Sequence, residues 1–200
     1  MSIDRKTCIQ IGLQTTCEYR FLAEPEYEKR RHYAPWQYPL LPDDFDESGE
    51  WYYYGIDCHL RPFPHPRVGD ASLILQRKIT AESPNTLKDF TDEYSIERIH
   101  LLAIDIEGWE HRILETLKEC PPIEYLICEY HPAETIDAQF ARNPNCPDKL
   151  NKVFEGKLLP LDTFIETAAS IGFTLENQFS AHKGSVQELW LKGNICKNLT

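Results

Sequence analysis

Between Ile99 and Leu117 the chain reads IHLLAIDIEGWEHRILETL, an apolar run that gives way to acids and then to helical spacing. His100 to Ile104 has no polar alternation, which predicts a central parallel strand covered on both faces. Asp105, Glu107 and Glu110 follow within six residues. Gly108 permits a tight turn, and Trp109, Ile113, Leu114 and Leu117 share a helical face, so a helix is expected from about Trp109. Pro121 and Pro122 end it, and IEYLICEYHP (123–132) is expected as the next strand.

The same patterning places the other elements. Lys6 to Leu13 reads as the first strand, Trp51 to Asp57 (WYYYGID) as the second and Ser72 to Ile79 as the third. Between them, 15–33 reads as a helix interrupted near Pro25, and the proline- and aromatic-rich stretch His32 to Glu50 as a long loop against or over the core. Three prolines keep Arg61 to Arg67 extended. Residues 86–97 form a helix with Leu87, Phe90 and Tyr94 on one face. Beyond a polar stretch to about Asp148, a helix is expected over Leu161 to Ser170, capped by Asp162 and ended at Gly172. FTLENQFS and 186–193 are then the last two strands. No repeat or boundary divides the chain, so one domain over 1–200 is expected.

Composition narrows the functional classes. The formal net charge is −11 and the longest basic run is Lys29-Arg30-Arg31, so the footprint of a nucleic-acid binder is missing and no nucleic-acid partner is expected. No apolar run approaches the length of a membrane span and the N-terminus lacks a signal-peptide core, so no membrane partner and a cytosolic location are expected. Seven scattered cysteines without a C-x-x-C pair argue against a disulfide framework or a zinc site, and Cys8 and Cys128 read as core residues.

Candidate chemistry gathers at strand ends. In open α/β sheets ligands bind beyond the carboxyl ends of the strands, where Asp105 and Glu107 stand. Glu110, in the first turn of the following helix, reads as a partner of the helix dipole. Glu129 and His131, two residues apart at the end of the 123–132 strand, project the same way if the strand persists. Asp105, Glu107, Glu129 and His131 could therefore converge, in one of three roles. His131 could act as a general base, the group could bind substrate hydroxyls, or it could hold a hard divalent cation, and the first two readings are preferred to the third. At the other side, Gly12 closes the first strand, with Gln10 before it and Gln14 after it, and Asp57 ends the second strand, where α/β nucleotide folds place a ribose-binding carboxylate. No G-x-G-x-x-G occurs, which excludes a dinucleotide fingerprint.

Residues 86–131 resemble the second half of the FkbM-type methyltransferases, which use S-adenosylmethionine (SAM). Asp105, Glu107, Gly108 and Glu110 match an Asp-x-Glu-Gly-x-Glu signature after a hydrophobic strand, and Glu129 and His131 match a Glu-x-His ending the next one. The resemblance implies a doubly wound, Rossmann-like α/β fold, a seven-stranded mixed sheet with helices on both faces and an antiparallel pair at one edge. It implies methyl transfer from SAM to an oxygen of a small molecule or sugar. By the same resemblance Gln10, Gly12, Gln14 and Asp57 meet SAM, while Asp105, Glu107, Glu129 and His131 face the acceptor. Two alternatives stand beside it: a non-catalytic ligand- or protein-binding member of the fold, and a metal-dependent enzyme that uses the carboxylate cluster for other chemistry. Oligomeric state is open.

Overall fold

A computed structural model describes residues 6–12, 51–58, 72–106, 108–135, 158–181 and 186–194. Seven strands form one sheet: β1 (Lys6–Ile11), β2 (Trp51–Asp57), β3 (Ser72–Gln76), β4 (Ile99–Ile104), β5 (Ile123–Tyr130), β6 (Phe173–Ala181) and β7 (Val186–Gly193). Their order is β3-β2-β1-β4-β5-β7-β6. The first five run parallel, and β7 enters antiparallel between β5 and β6. This is the doubly wound, mixed arrangement expected. Its strand order reverses between β1 and β4, which leaves a crevice at their carboxyl ends.

The apolar runs behave as central strands. Ile9, Ile56, Leu102 and Leu126 have no solvent exposure, and Cys8 and Cys128 are buried beside them. Among the described residues three helical segments cover the sheet: α1 (Leu87–Glu93), α2 (Glu110–Ile113), which continues into a 3-10 helix (Leu114–Glu119), and α3 (Leu161–Ser170). Both α1 and α3 contact the 3-10 helix, so these segments share one face. The segments 13–50 and 59–71, which contain the expected first helix, the long loop and the proline-rich stretch, lie outside the described residues.

Local sequence accounts for most boundaries. Thr86 and Asp89 form a reciprocal capping box at the start of α1, and Phe90 and Leu87 bury its inner face. The helix beyond Gly108 tightens to 3-10 winding after one turn. Because i and i+3 then align, Leu114 and Leu117 stay on the buried side. Three expectations need correction. Strand β3 ends at Gln76 rather than Ile79, α1 ends at Glu93, and α3 is entered through Pro160 with no side-chain cap, leaving Asp162 as an acid in its first turn. Proline at that entry supplies its fixed φ and needs no hydrogen-bonding partner for a missing N–H, so an aspartate cap is not required.

Candidate functional site

Gly12 leaves β1 with φ +92° and its N–H donates to Ile56 O of β2 (2.9 Å). A Cβ built there would lie 1.6 Å from the carbonyl oxygen of Asp105. Only a glycine lets the exit of β1 sit so close to the exit of β4. Gln10, buried in β1, fixes this turn from behind. Its Oε1 accepts from Tyr53 Oη (2.6 Å) and its Nε2 donates to Gly12 O (3.5 Å). Asp57 is buried at the end of β2, where its carbonyl accepts from Arg77 N beyond β3 (2.8 Å). The carboxyl ends of β1, β2 and β4 thus meet around Gly12. Gln14 and Glu107 lie outside the described residues.

Across the switch point a second group assembles from β4, α2 and β5. Asp105 N–H donates to Ile11 O (3.0 Å), which anchors the acid to the end of β1. Its carboxylate, that of Glu129 and the imidazole of His131 bring one ligand-type atom each within 4.8 Å of one another. Strand β5 ends at Tyr130, so Glu129 is in the strand and His131 immediately beyond it. Their convergence with Asp105 follows from the parallel β4–β5 pairing, with Ile104 beside Cys128.

Glu110 does far more than complement a helix dipole. Its side chain has no solvent exposure. One carboxylate oxygen accepts from Gly108 N (2.8 Å), while the other accepts from His131 N (3.0 Å) and faces His131 Nδ1 (2.9 Å). Glu110 therefore closes the positive-φ turn at Gly108 and fixes the ring of His131, with Nδ1 as its donor nitrogen. Nε2 then points to the Glu129 side, 3.8 Å from a carboxylate oxygen.

A second histidine holds this arrangement from below. His111 Nδ1 accepts from Leu159 N (3.0 Å), so its Nε2 carries the proton and donates to His131 O (3.0 Å). The ring packs against Tyr130 and Phe164, with centroids 5.1 Å and 5.3 Å away. Burial pushes the His111 pKa below its ordinary value, against the raising influence of Glu110. Its neutral form is thereby built into the fold. An unfolded His111 gains a proton as pH falls through its ordinary value of 6.5, before the folded one does, so its stabilising contribution is complete above that pH and declines below it. Stability measured by urea unfolding should fall between pH 7 and pH 5 less steeply in His111→Gln than in the parent. Equal slopes would show that His111 does not titrate this way.

One further acid joins the group. Glu188 of β7 stands opposite Glu129 in register, is buried, and accepts a hydrogen bond from Trp190 Nε1. Cys128, enclosed beneath, is pushed well above the ordinary thiol range, first by burial and then by the charges of Glu110, Asp105, Glu129 and Glu188. The sequence contains Glu110 inside the motif that carries the resemblance, so its importance had a signal. Neither His111 nor Glu188 had one, because their roles depend on the α3 approach and the β5–β7 register.

Solved structures similar over almost the whole chain include Methanococcus jannaschii fibrillarin, a pre-rRNA processing protein, at 13% identity and TM-score 0.46, over 96% of this chain and 69% of that one. The antibiotic-resistance methyltransferase Kmr matches at 14% identity and TM-score 0.44, over 96% and 89%. Aeropyrum pernix fibrillarin, solved with natively bound S-adenosyl-L-methionine, matches at 11% identity and TM-score 0.40, over 96% and 68%. None of these likenesses assigns an activity to this chain. No curated protein matches it. A family model, the methyltransferase FkbM domain, matches residues 62–150. That stretch is under half of the chain; it holds β3, β4, Glu110 and all of β5, and includes the Asp105-x-Glu107-Gly108-x-Glu110 and Glu129-x-His131 spacings, so over it the chain is similar to the methyltransferase FkbM domain.

Proposed function

We propose that this chain is a SAM-dependent methyltransferase acting on an oxygen of a small molecule or sugar, as a single cytosolic domain. One observation supports the reading: Gly12 and Asp57 close β1 and β2 on one side of the β1–β4 switch point, and Asp105, Glu129 and His131 gather at the ends of β4 and β5 on the other. A donor and an acceptor can therefore meet between two sets of residues already fixed by the sheet.

The residues fit a nucleoside carrying a methionine tail. Gly12 has no side chain to obstruct an approach to the β1 turn, and Asp57 is a carboxylate at the strand end where ribose hydroxyls are accepted in nucleotide-binding sheets. Gln10 contributes by holding Gly12, since both ends of its amide are engaged by Tyr53 and Gly12. The cofactor, when bound, supplies an electrophilic methyl group. The chain's own task is to hold the acceptor oxygen in line with it, and such positioning is worth several kcal/mol, on the order of 7 or more in well-oriented systems. Asp105, Glu129 and His131 are the groups assigned to acceptor orientation, with Glu107 expected to join them and Gln14 to join the cofactor side.

Asp57 and His131 separate the two halves. Asp57→Ala should weaken SAM binding about tenfold or more, the loss of a charge-assisted hydrogen bond. His131→Ala should retain SAM binding and lose transfer of labelled methyl groups to a panel of hydroxylated small molecules and sugars. Unchanged SAM affinity in Asp57→Ala would refute the ribose assignment. Unchanged transfer in His131→Ala would remove that residue from the acceptor side.

A further inference from the structure

We propose that His111 is a positioning residue for the acceptor side of the site: its ring ties the main chain of His131 to that of Leu159, so the entry of α3 sets where the His131 imidazole stands. The His111 side chain has no solvent exposure, and both of its nitrogens are spent on backbone. Nδ1 accepts from Leu159 N (3.0 Å) and Nε2 donates to His131 O (3.0 Å).

Glu110 alone does not fix His131. The backbone N–H of His131 (3.0 Å) and its Nδ1 (2.9 Å) both meet the same carboxylate oxygen, Oε1, so this anchor is a single point about which the residue can pivot. The bond from His111 to the carbonyl is a second anchor, on the far side of the same residue, and it removes that freedom. Two consecutive residues of α2 thus hold His131 from both ends.

The other end of the His111 ring is held just as firmly. Tyr130 Oη donates to Leu159 O (2.9 Å), so side chains of α2 and β5 engage both polar groups of Leu159. The rings of His111, Tyr130 and Phe164 pack around this point, with centroids 5.1 Å to 5.3 Å apart. The next residue, Pro160, opens α3, its carbonyl accepting from Phe164 N (2.8 Å). The first turn of α3, the three rings and His131 therefore move as one unit. A displacement of about 1 Å at a reacting group can cost on the order of 100-fold in rate. That consequence for turnover rests on the methyl-transfer reading, whereas the placement of the ring does not.

Two substitutions divide the two bonds. His111→Asn puts an amide oxygen where Nδ1 stands and can keep the bond from Leu159 N, but the donation to His131 O is lost. His111→Gln puts an amide nitrogen near the place of Nε2 and can keep that donation, but Leu159 N loses its acceptor. Both should be less stable than the parent, and a merely structural His111 would make them alike in every other respect.

Nitrogen-15 NMR of the full, histidine-labelled chain without SAM reads the rings directly, with circular dichroism as the check of folding. The His131 ring signals should move in His111→Asn and stay close to the parent's in His111→Gln. Methyl transfer to an acceptor that the parent modifies should fall at least about tenfold in His111→Asn and less in His111→Gln, with SAM affinity kept in both. Unmoved His131 signals in folded His111→Asn, or the same displacement in both variants, would overturn the proposal. The parent supplies a test that needs no variant: its spectrum should show His111 as the neutral tautomer with the proton on Nε2, and a proton on Nδ1 would overturn the proposal. Calorimetry with SAM separates the two readings. Signals that move as expected in a chain that binds no SAM leave the positioning standing and overturn the methyltransferase, whereas unmoved signals in a chain that binds SAM overturn the positioning alone.

Discussion

Alanine at position 12 should destabilise the protein by about 3 kcal/mol or more and abolish tight SAM binding. Two effects add. A φ of +92° is costly for any residue with a Cβ, on the order of 1–2 kcal/mol. The new methyl group would also lie 1.6 Å from Asp105 O and 3.1 Å from Ile106 Cγ2, and the first of these contacts is with backbone that cannot rotate away. Relief requires the β1 exit to part from β4, which threatens the Asp105 N–H to Ile11 O bond and the Gly12 N–H to Ile56 O bond together. Urea unfolding of Gly12→Ala beside the parent reads the stability change, and calorimetry reads the cofactor. A change within about 0.5 kcal/mol, the range of ordinary surface substitutions, would mean that the close approach of β1 to β4 is not a constraint on the fold.

Removing the Glu110 carboxylate should be the second large loss. In Glu110→Ala the N–H groups of Gly108 and His131 and the Nδ1 of His131 lose their buried acceptor at once. Each buried donor left without a partner costs about 1–3 kcal/mol, so a total of about 3–5 kcal/mol is expected. Glu110→Gln should fall between the variant and the parent. Its carbonyl can still accept from His131, but its amide nitrogen then meets the N–H of Gly108, donor against donor. Thermal and urea unfolding rank the three proteins. If Glu110→Ala loses no more stability than an exposed-acid control such as Glu97→Ala, the buried carboxylate does not organise the turn and the histidine.

The sheet was legible in the sequence wherever burial is two-sided. The runs ending at Ile11, Asp57, Ile104 and Tyr130 carry their own signal because a covered parallel strand needs apolar residues on both faces. The acids at those ends were legible for the same reason: Asp57 and Asp105 stand where an apolar run stops. Helix beginnings were less so. Asp162 has the chemistry of a cap, yet Pro160 opens α3, because proline satisfies the local conformation without a side-chain bond.

The interior of the site was the least legible part. An acid in a first helical turn fits the dipole whether it faces water or the core, and nothing in the local sequence reveals that Glu110 is buried against His131. His111 and Glu188 owe their places to Leu159 and to the β5–β7 register, partners 48 and 59 residues from them in the chain for His111–Leu159 and Glu129–Glu188 respectively. Such pairings exist only once the sheet has closed. Ligand geometry cannot be read from sequence, which is why a base or hydroxyl-binding role is preferred there to a cation. The fixing of His131 by Glu110, 21 residues away, is likewise visible only in the folded sheet.

The central claim is that the β1–β4 crevice binds SAM. Calorimetric titration of SAM and of its demethylated product, S-adenosylhomocysteine, into the full chain tests it directly, with parallel runs in magnesium and in chelator. Saturable binding of one molecule per chain, weakened in Asp57→Ala, is the expected result. No heat of binding for either compound in any of these conditions would contradict the account, and the crevice would then have to serve another ligand.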